Sequence, residues 1–175
     1  MERQKTLEAE VVTRDRRVDD AEILSLLKEY GIETVGMEQL DGGLFRIKVR
    51  NHFSSERLPE GYGYKGGAAR ALLLRSLGID PHYVPRDVDV VRLVDQEPFA
   101  GADREVGERF MANDLEDGYG VEGIESREEY FETRDFTLNE VLATDTEVLA
   151  SRQCLLDSLR HIIRLTRYER TKDLL

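Results

Sequence analysis

One short run constrains the fold more than any other part of this chain. Residues 88–94 read Val-Asp-Val-Val-Arg-Leu-Val, a β-branched stretch that suits a mostly buried strand. A buried strand needs a sheet around it, and the flanking sequence says of what kind. Asp19-Asp20 stands before Ala21, Ile23, Leu24, Leu26 and Leu27. An acidic cap ahead of an apolar stripe predicts a helix, and Gly31 after Tyr30 predicts its end. Residues 33–40 and 44–50 flank Asp41-Gly42-Gly43, and Leu44, Arg46, Lys48 and Arg50 alternate with Phe45, Ile47 and Val49. That period of two beside a glycine turn predicts a β-hairpin. Residues 51–61 have Ser, Pro and Gly without periodicity and predict a loop.

The second half is read in the same way. Tyr62-Gly63-Tyr64-Lys65 predicts a short strand, broken by Gly66-Gly67. Residues 68–77, rich in Ala, Leu and Arg and followed by Gly78, predict a helix. Another helix is expected over 104–111 and a strand over 121–125. Ser126 with Glu129 three positions on resembles a capping box. The apolar spacing of residues 145–167 predicts the longest helix. The order of helix, hairpin, strand, helix, strand and helix gives an α+β fold. It divides into an N-terminal helix-hairpin extension over 1–60, a central unit over 61–145 and a C-terminal helix within 146–175.

Composition narrows the function. The chain has 175 residues, with 25 Lys+Arg against 36 Asp+Glu, a net charge of −11. That balance opposes a non-specific nucleic-acid coat, which needs a positive surface, but leaves room for a metal site built from carboxylates. No run approaches the roughly 18 apolar residues of a membrane span. Met1-Glu2-Arg3-Gln4-Lys5 leads into no apolar stretch, so no secretory signal is expected. Cys154 is the single cysteine, which excludes an internal disulfide and suits a reducing cytoplasm.

Two motifs carry chemistry. Asp87-Val88-Asp89 opens the buried run, and on a strand positions i and i+2 share a face. Two carboxylates presented together can hold Mg²⁺. Asp-x-Asp alone is a weak signal, since an acidic chain produces such pairs by chance. Gly66-Gly67 lies between a strand and a helix, where free backbone N–H groups face an anion such as phosphate. Arg70 in the first turn can clamp the same phosphates. Standing alone, the glycine pair fits a plain strand-to-helix turn better.

Order adds weight to both. Gly66-Gly67-Ala68-Ala69-Arg70, then Pro85-Arg86-Asp87-Val88-Asp89-Val90-Val91, then Arg134-Asp135-Phe136-Thr137-Leu138-Asn139 occur in sequence. This resembles the head domain of class II tRNA nucleotidyltransferases (CCA-adding enzymes) and bacterial poly(A) polymerases. Their pattern is Gly-Gly-x-x-Arg-Asp, Asp-x-Asp and Arg-Arg-Asp-Phe-Thr-x-Asn-Ala. The resemblance covers residues 62–142, about half of the chain. It implies a polymerase-β-type nucleotidyltransferase domain, a mixed sheet flanked by helices. It implies two Mg²⁺ ions on Asp87 and Asp89, which would be both metal ligands and catalytic. It places the NTP triphosphate on Gly66, Gly67 and Arg70. Arg134 and Asp135 would reach the phosphates and sugar, with Asn139 ordering that loop.

The implied reaction is attack of a hydroxyl, expected on an RNA 3′ end, on the α-phosphate of ATP or another NTP, releasing pyrophosphate. Ala71 replaces the family's Asp, Thr133 its first Arg and Glu140 its Ala. The stretch between Gly67 and Asp87 is longer than in the family. No Glu-Asp-x-x-Arg base-reading motif follows, so selection of C and then A is not expected. The expectation is a minimal transferase, with a protein partner as one source of specificity. The alternative is a non-catalytic nucleotide- or partner-binding module that kept the fold. Glu122 and Glu125 are candidates for a third carboxylate, with solvent exposure as the competing explanation. Arg160, Arg164 and Arg167 would share a helix face able to meet RNA phosphates, though a solvated face explains them more simply.

Overall fold

The protein is described by a computed structural model covering residues 10–11, 19–93, 102–110 and 121–166. Its elements run β1 (Glu10–Val11), α1 (Asp20–Glu29), β2 (Met37–Leu40), β3 (Leu44–Lys48), β4 (Tyr62–Lys65), α2 (Gly66–Ser76), β5 (Asp89–Arg92) and α3 (Ala102–Phe110). They continue with β6 (Val121–Gly123), α4 (Arg127–Glu132), a 3₁₀ turn at Thr137–Asn139, β7 (Val141–Ala143), β8 (Glu147–Ser151), α5 (Arg152–Arg160) and β9 (Arg164–Leu165).

Local chemistry sets many of these boundaries. The Asp19 carboxylate accepts the Ala21 N–H and caps α1. Ser126 accepts the Glu129 N–H and starts α4. Ser151 does the same for α5 through the Cys154 N–H. The hairpin β2–β3 pairs Leu40 with Leu44 across its glycine turn. Its alternation works as expected, because Phe45 and Ile47 are buried while Lys48 is exposed.

Seven strands form one mixed sheet in the order β2-β3-β8-β7-β4-β5-β6. The β5–β6 pair is parallel and its other pairs are antiparallel. β1 and β9 pair separately, in parallel. One face carries Phe45, Tyr64, Val90, Val141 and Val148, packed under Ile23 and Leu27 of α1, Leu72 of α2, Val106 of α3 and Leu155 of α5. Each fully buried Leu there contributes about 1.5–3 kcal/mol relative to exposure. The opposite face carries Val91, Leu142 and Leu149, covered by Tyr130 and Phe131 of α4. This is the expected α+β class with helices on a mixed sheet.

Close approach of β4 and β7 depends on Gly63. A Cβ there would lie 2.8 Å from the Ala143 carbonyl oxygen, a separation that side chains do not tolerate.

Residues 145–167 do not form one helix. Residues 147–151 are β8, α5 is confined to Arg152–Arg160, and Arg164–Leu165 is β9. The misreading has a physical source. Val148, Leu149 and Ala150 sit mid-sheet and are buried on both faces. A strand of that kind is apolar throughout and lacks the alternation that separates strand from helix. β7, on its other side, is shorter still and apolar throughout. The sheet therefore crosses the unit limits drawn at 60 and 145. The hairpin from 1–60 and β8 from 146–175 lie beside β7 and β4 in one continuous layer. The Arg160–Arg164–Arg167 face dissolves as well: His161 turns left-handed at φ 54°, Arg164 is buried in β9, and Arg167 lies outside the described residues.

Candidate functional site

Strand directions bring the motifs to one end of the sheet. β4 ends there and enters α2, while β5 and β6 begin there and the 3₁₀ turn leads into β7. Gly66 makes the turn with φ +54°, a left-handed conformation that glycine adopts without strain. A Cβ on Gly66 would stand 3.4 Å from Asp89 Oδ2, so the glycine turn and the aspartate are immediate neighbours. Lys65 is the N-cap of α2 but gives no side-chain capping bond, and the first turn contains no acid. The leading N–H groups of α2 thus lack the side-chain acceptor seen at α1, α4 and α5, which suits an anion.

Arg70 joins the third motif to this turn. Its Nη1 donates to Asn139 Oδ1 at 3.3 Å, and Asn139 Nδ2 donates to Asp135 Oδ1 at 3.0 Å. Asp135 Oδ1 also accepts the Phe136 N–H at 2.9 Å. Asp135 is therefore engaged in ordering its own loop, and Asn139 bridges that loop to α2.

A second chain of charges runs across the sheet. Lys65 pairs in register with Asp89, and Val91 with Glu122, so Lys65, Asp89 and Glu122 project from the face that α4 covers. Lys65 Nζ donates to Glu122 Oε2 at 2.6 Å, and Arg134 Nη2 donates to Glu122 Oε1 at 3.3 Å. Arg134 lies over the Tyr130 ring, 4.1 Å from its centroid, and its Nε donates to the Tyr130 carbonyl. Burial pushes the Glu122 carboxyl upward, but Lys65 and Arg134 outweigh it and hold Glu122 below the usual carboxylate range. Lys65 was not singled out from the sequence. The available signal was its place directly before Gly66-Gly67 at the end of a strand.

Asp87 and Asp89 are placed differently from the sequence expectation. β5 begins at Asp89, and Asp87 is exposed in the bend before it, so strand periodicity does not put the two on one face. Proline at 85 and the bend at 86–87 hold the chain out of the ladder until Asp89 meets Lys65. Neither carboxylate has an ion pair or side-chain hydrogen bond among the described residues. Also among the described residues, no group of three or more His, Cys, Asp or Glu is gathered to hold a metal. Mg²⁺ is ordinarily held by one or two carboxylates together with water and substrate phosphates, and Asp89, with no side-chain partner among the described residues, is a ligand of that chemical kind.

Other candidates resolve into structure. Cys154 is fully buried on α5, and burial pushes its thiol up to about 12, a poor nucleophile. Glu125 is exposed without an ion pair among the described residues. Ala71 is fully buried in α2, so the position where the resembled family has Asp is core here. Among the described residues no helix is long and apolar enough to cross a membrane. Comparison of the chain with protein-family models, with curated proteins and with solved structures found no match.

Proposed function

We propose that the protein is a Mg²⁺-dependent nucleotidyltransferase that moves a nucleotide from an NTP to a hydroxyl, with an RNA 3′ end as the first acceptor to test. The observation that carries this is the meeting of Asp89, without an ion pair among the described residues, with the uncapped N-terminus of α2 and the Arg70–Asn139–Asp135 relay. In this function the N–H groups at Gly66 and Gly67 and the Arg70 guanidinium hold the triphosphate. Asp89, with Asp87 from the preceding bend, supplies hard oxygen ligands. Asp135 and Asn139 keep the 134–139 loop against α2, and Lys65 and Arg134 bring positive charge beside the phosphates. Bound Mg²⁺ would neutralise charge on the leaving oxygens and lower the pKa of the attacking hydroxyl.

The test is incorporation of labelled NTPs into total tRNA with Mg²⁺. The expected result is labelling by wild type that disappears in Asp89→Ala and falls at least about tenfold in Asp87→Ala. Labelling that persists in Asp89→Ala would overturn the assignment.

A second function, nucleotide binding without transfer, has specific support. Lys65 already sets a cation opposite Asp89, and Ala71 has no charge where the resembled family has one. It predicts that Mg²⁺ and NTP raise the melting temperature while no acceptor is labelled.

A further inference from the structure

A cavity lies at the other end of the sheet from the glycine turn. It is a groove of about 580 Å³ on the face that α4 only partly covers. Its volume falls in the range of small-molecule sites. Leu93, Ile124, Leu142 and Leu149 give it an apolar floor, and they project from the same face as Val91. Leu93 is four residues beyond Asp89 on the line of β5, about 13 Å at strand rise. The groove is thus separate from the candidate nucleotide site.

Among the described residues its rim is mostly acidic. Glu60, Glu125 and Glu128 line it, are exposed and have no ion pair among the described residues. Glu147 also lines it, but its carboxylate is engaged by Arg46 at 3.0 Å. Arg127 is the one basic side chain among the described lining residues. Three carboxylates without an ion pair among the described residues, over a leucine and isoleucine floor, disfavour anions, and a neutral hydroxyl can donate to them but gains no ionic attraction. A bare metal ion would leave the apolar floor unused. The chemistry that satisfies both parts is an ammonium group joined to an apolar body.

We propose that this groove binds a small amphiphilic organic cation, its ammonium at the Glu60–Glu125–Glu128 rim and its hydrocarbon on the Leu93–Ile124–Leu142–Leu149 floor. The site is independent of nucleotide transfer and stands whether or not that chemistry is present.

The experiment compares three probes of equal chain length, n-octylammonium, n-octanol and n-octanoate, titrated into the full chain with ¹³C-labelled Leu and Ile methyls. The expected order of affinity is ammonium, then alcohol, with the carboxylate not binding, and shifts centred on the four floor residues. Glu125→Gln/Glu128→Gln should weaken n-octylammonium about tenfold at low salt, while Asp89→Asn leaves it unchanged. Equal affinity for octanol and octylammonium, shifts spread away from the floor, or no binding by any probe would each overturn the proposal. The probe series on the wild-type chain decides this even if the double variant folds poorly.

Discussion

Two charged clusters flank the loop 134–139, and they have opposite characters. On one side Asp157 is fully buried and completely partnered. It accepts from Thr137 Oγ1 at 2.6 Å, from Gln153 Nε2 at 3.0 Å and from Arg164 Nε at 2.8 Å. On the other side Lys65, Glu122 and Arg134 pair in a half-open setting, and Asp89 beside them has no ion pair among the described residues. The first cluster ties α5, β9 and the 3₁₀ turn into one unit. The second leaves anionic oxygen and leading helix N–H groups without side-chain partners among the described residues. Satisfied buried charge marks scaffold, whereas unsatisfied charge at the mouth of a cleft is available to a ligand.

Substitutions can break or sharpen that contrast. The largest effect is expected from Asp157→Ala, which removes the fully buried carboxylate that Thr137, Gln153 and Arg164 all donate to. A loss of about 3–5 kcal/mol is expected by urea denaturation. A cost below about 1 kcal/mol would remove the distinction between the clusters. Glu122→Gln should cost no more than about 1 kcal/mol, because both partners are partly solvated. Its pH dependence has a definite sign. The folded Glu122 carboxyl titrates below its unfolded value, so its stabilisation is complete above the ordinary glutamate range and is lost as pH falls through the lower folded value. The stability gap between wild type and Glu122→Gln should close in acid, and a gap that widens there would contradict the ion-pair assignment. Asp89→Asn should change stability least, within about 0.5 kcal/mol, yet abolish any rise in melting temperature caused by Mg²⁺ with ATP. Retention of that rise would detach Asp89 from the ligand.

What the sequence disclosed follows from the range of the interactions involved. α1 was readable because Asp19 and the stripe through Ile23 and Leu27 act within a few residues. The β2–β3 hairpin was readable for the same reason. The adjacency of Gly66 and Asp89 was foreshadowed only by motif order, and the Arg70–Asn139–Asp135 relay only by resemblance. β8 was hidden because a strand buried on both faces has no period of two. The Lys65–Glu122 pair was hidden because strand registers join residues 57 apart in the chain. Asp87 was assigned to the strand because a β-branched neighbour at Val88 extends the apparent run past where pairing begins.

The position of β8 has a consequence for how the molecule is made. The hairpin β2–β3 is complete by Lys48, but its sheet neighbour among the described residues, Glu147–Ser151, is about a hundred residues downstream. During synthesis the early ribbon must wait on the ribosome with an open edge until that segment emerges. Such long-separation pairing gives slow assembly and a window in which a premature stop before 147 would leave the β3 edge without its strand partner.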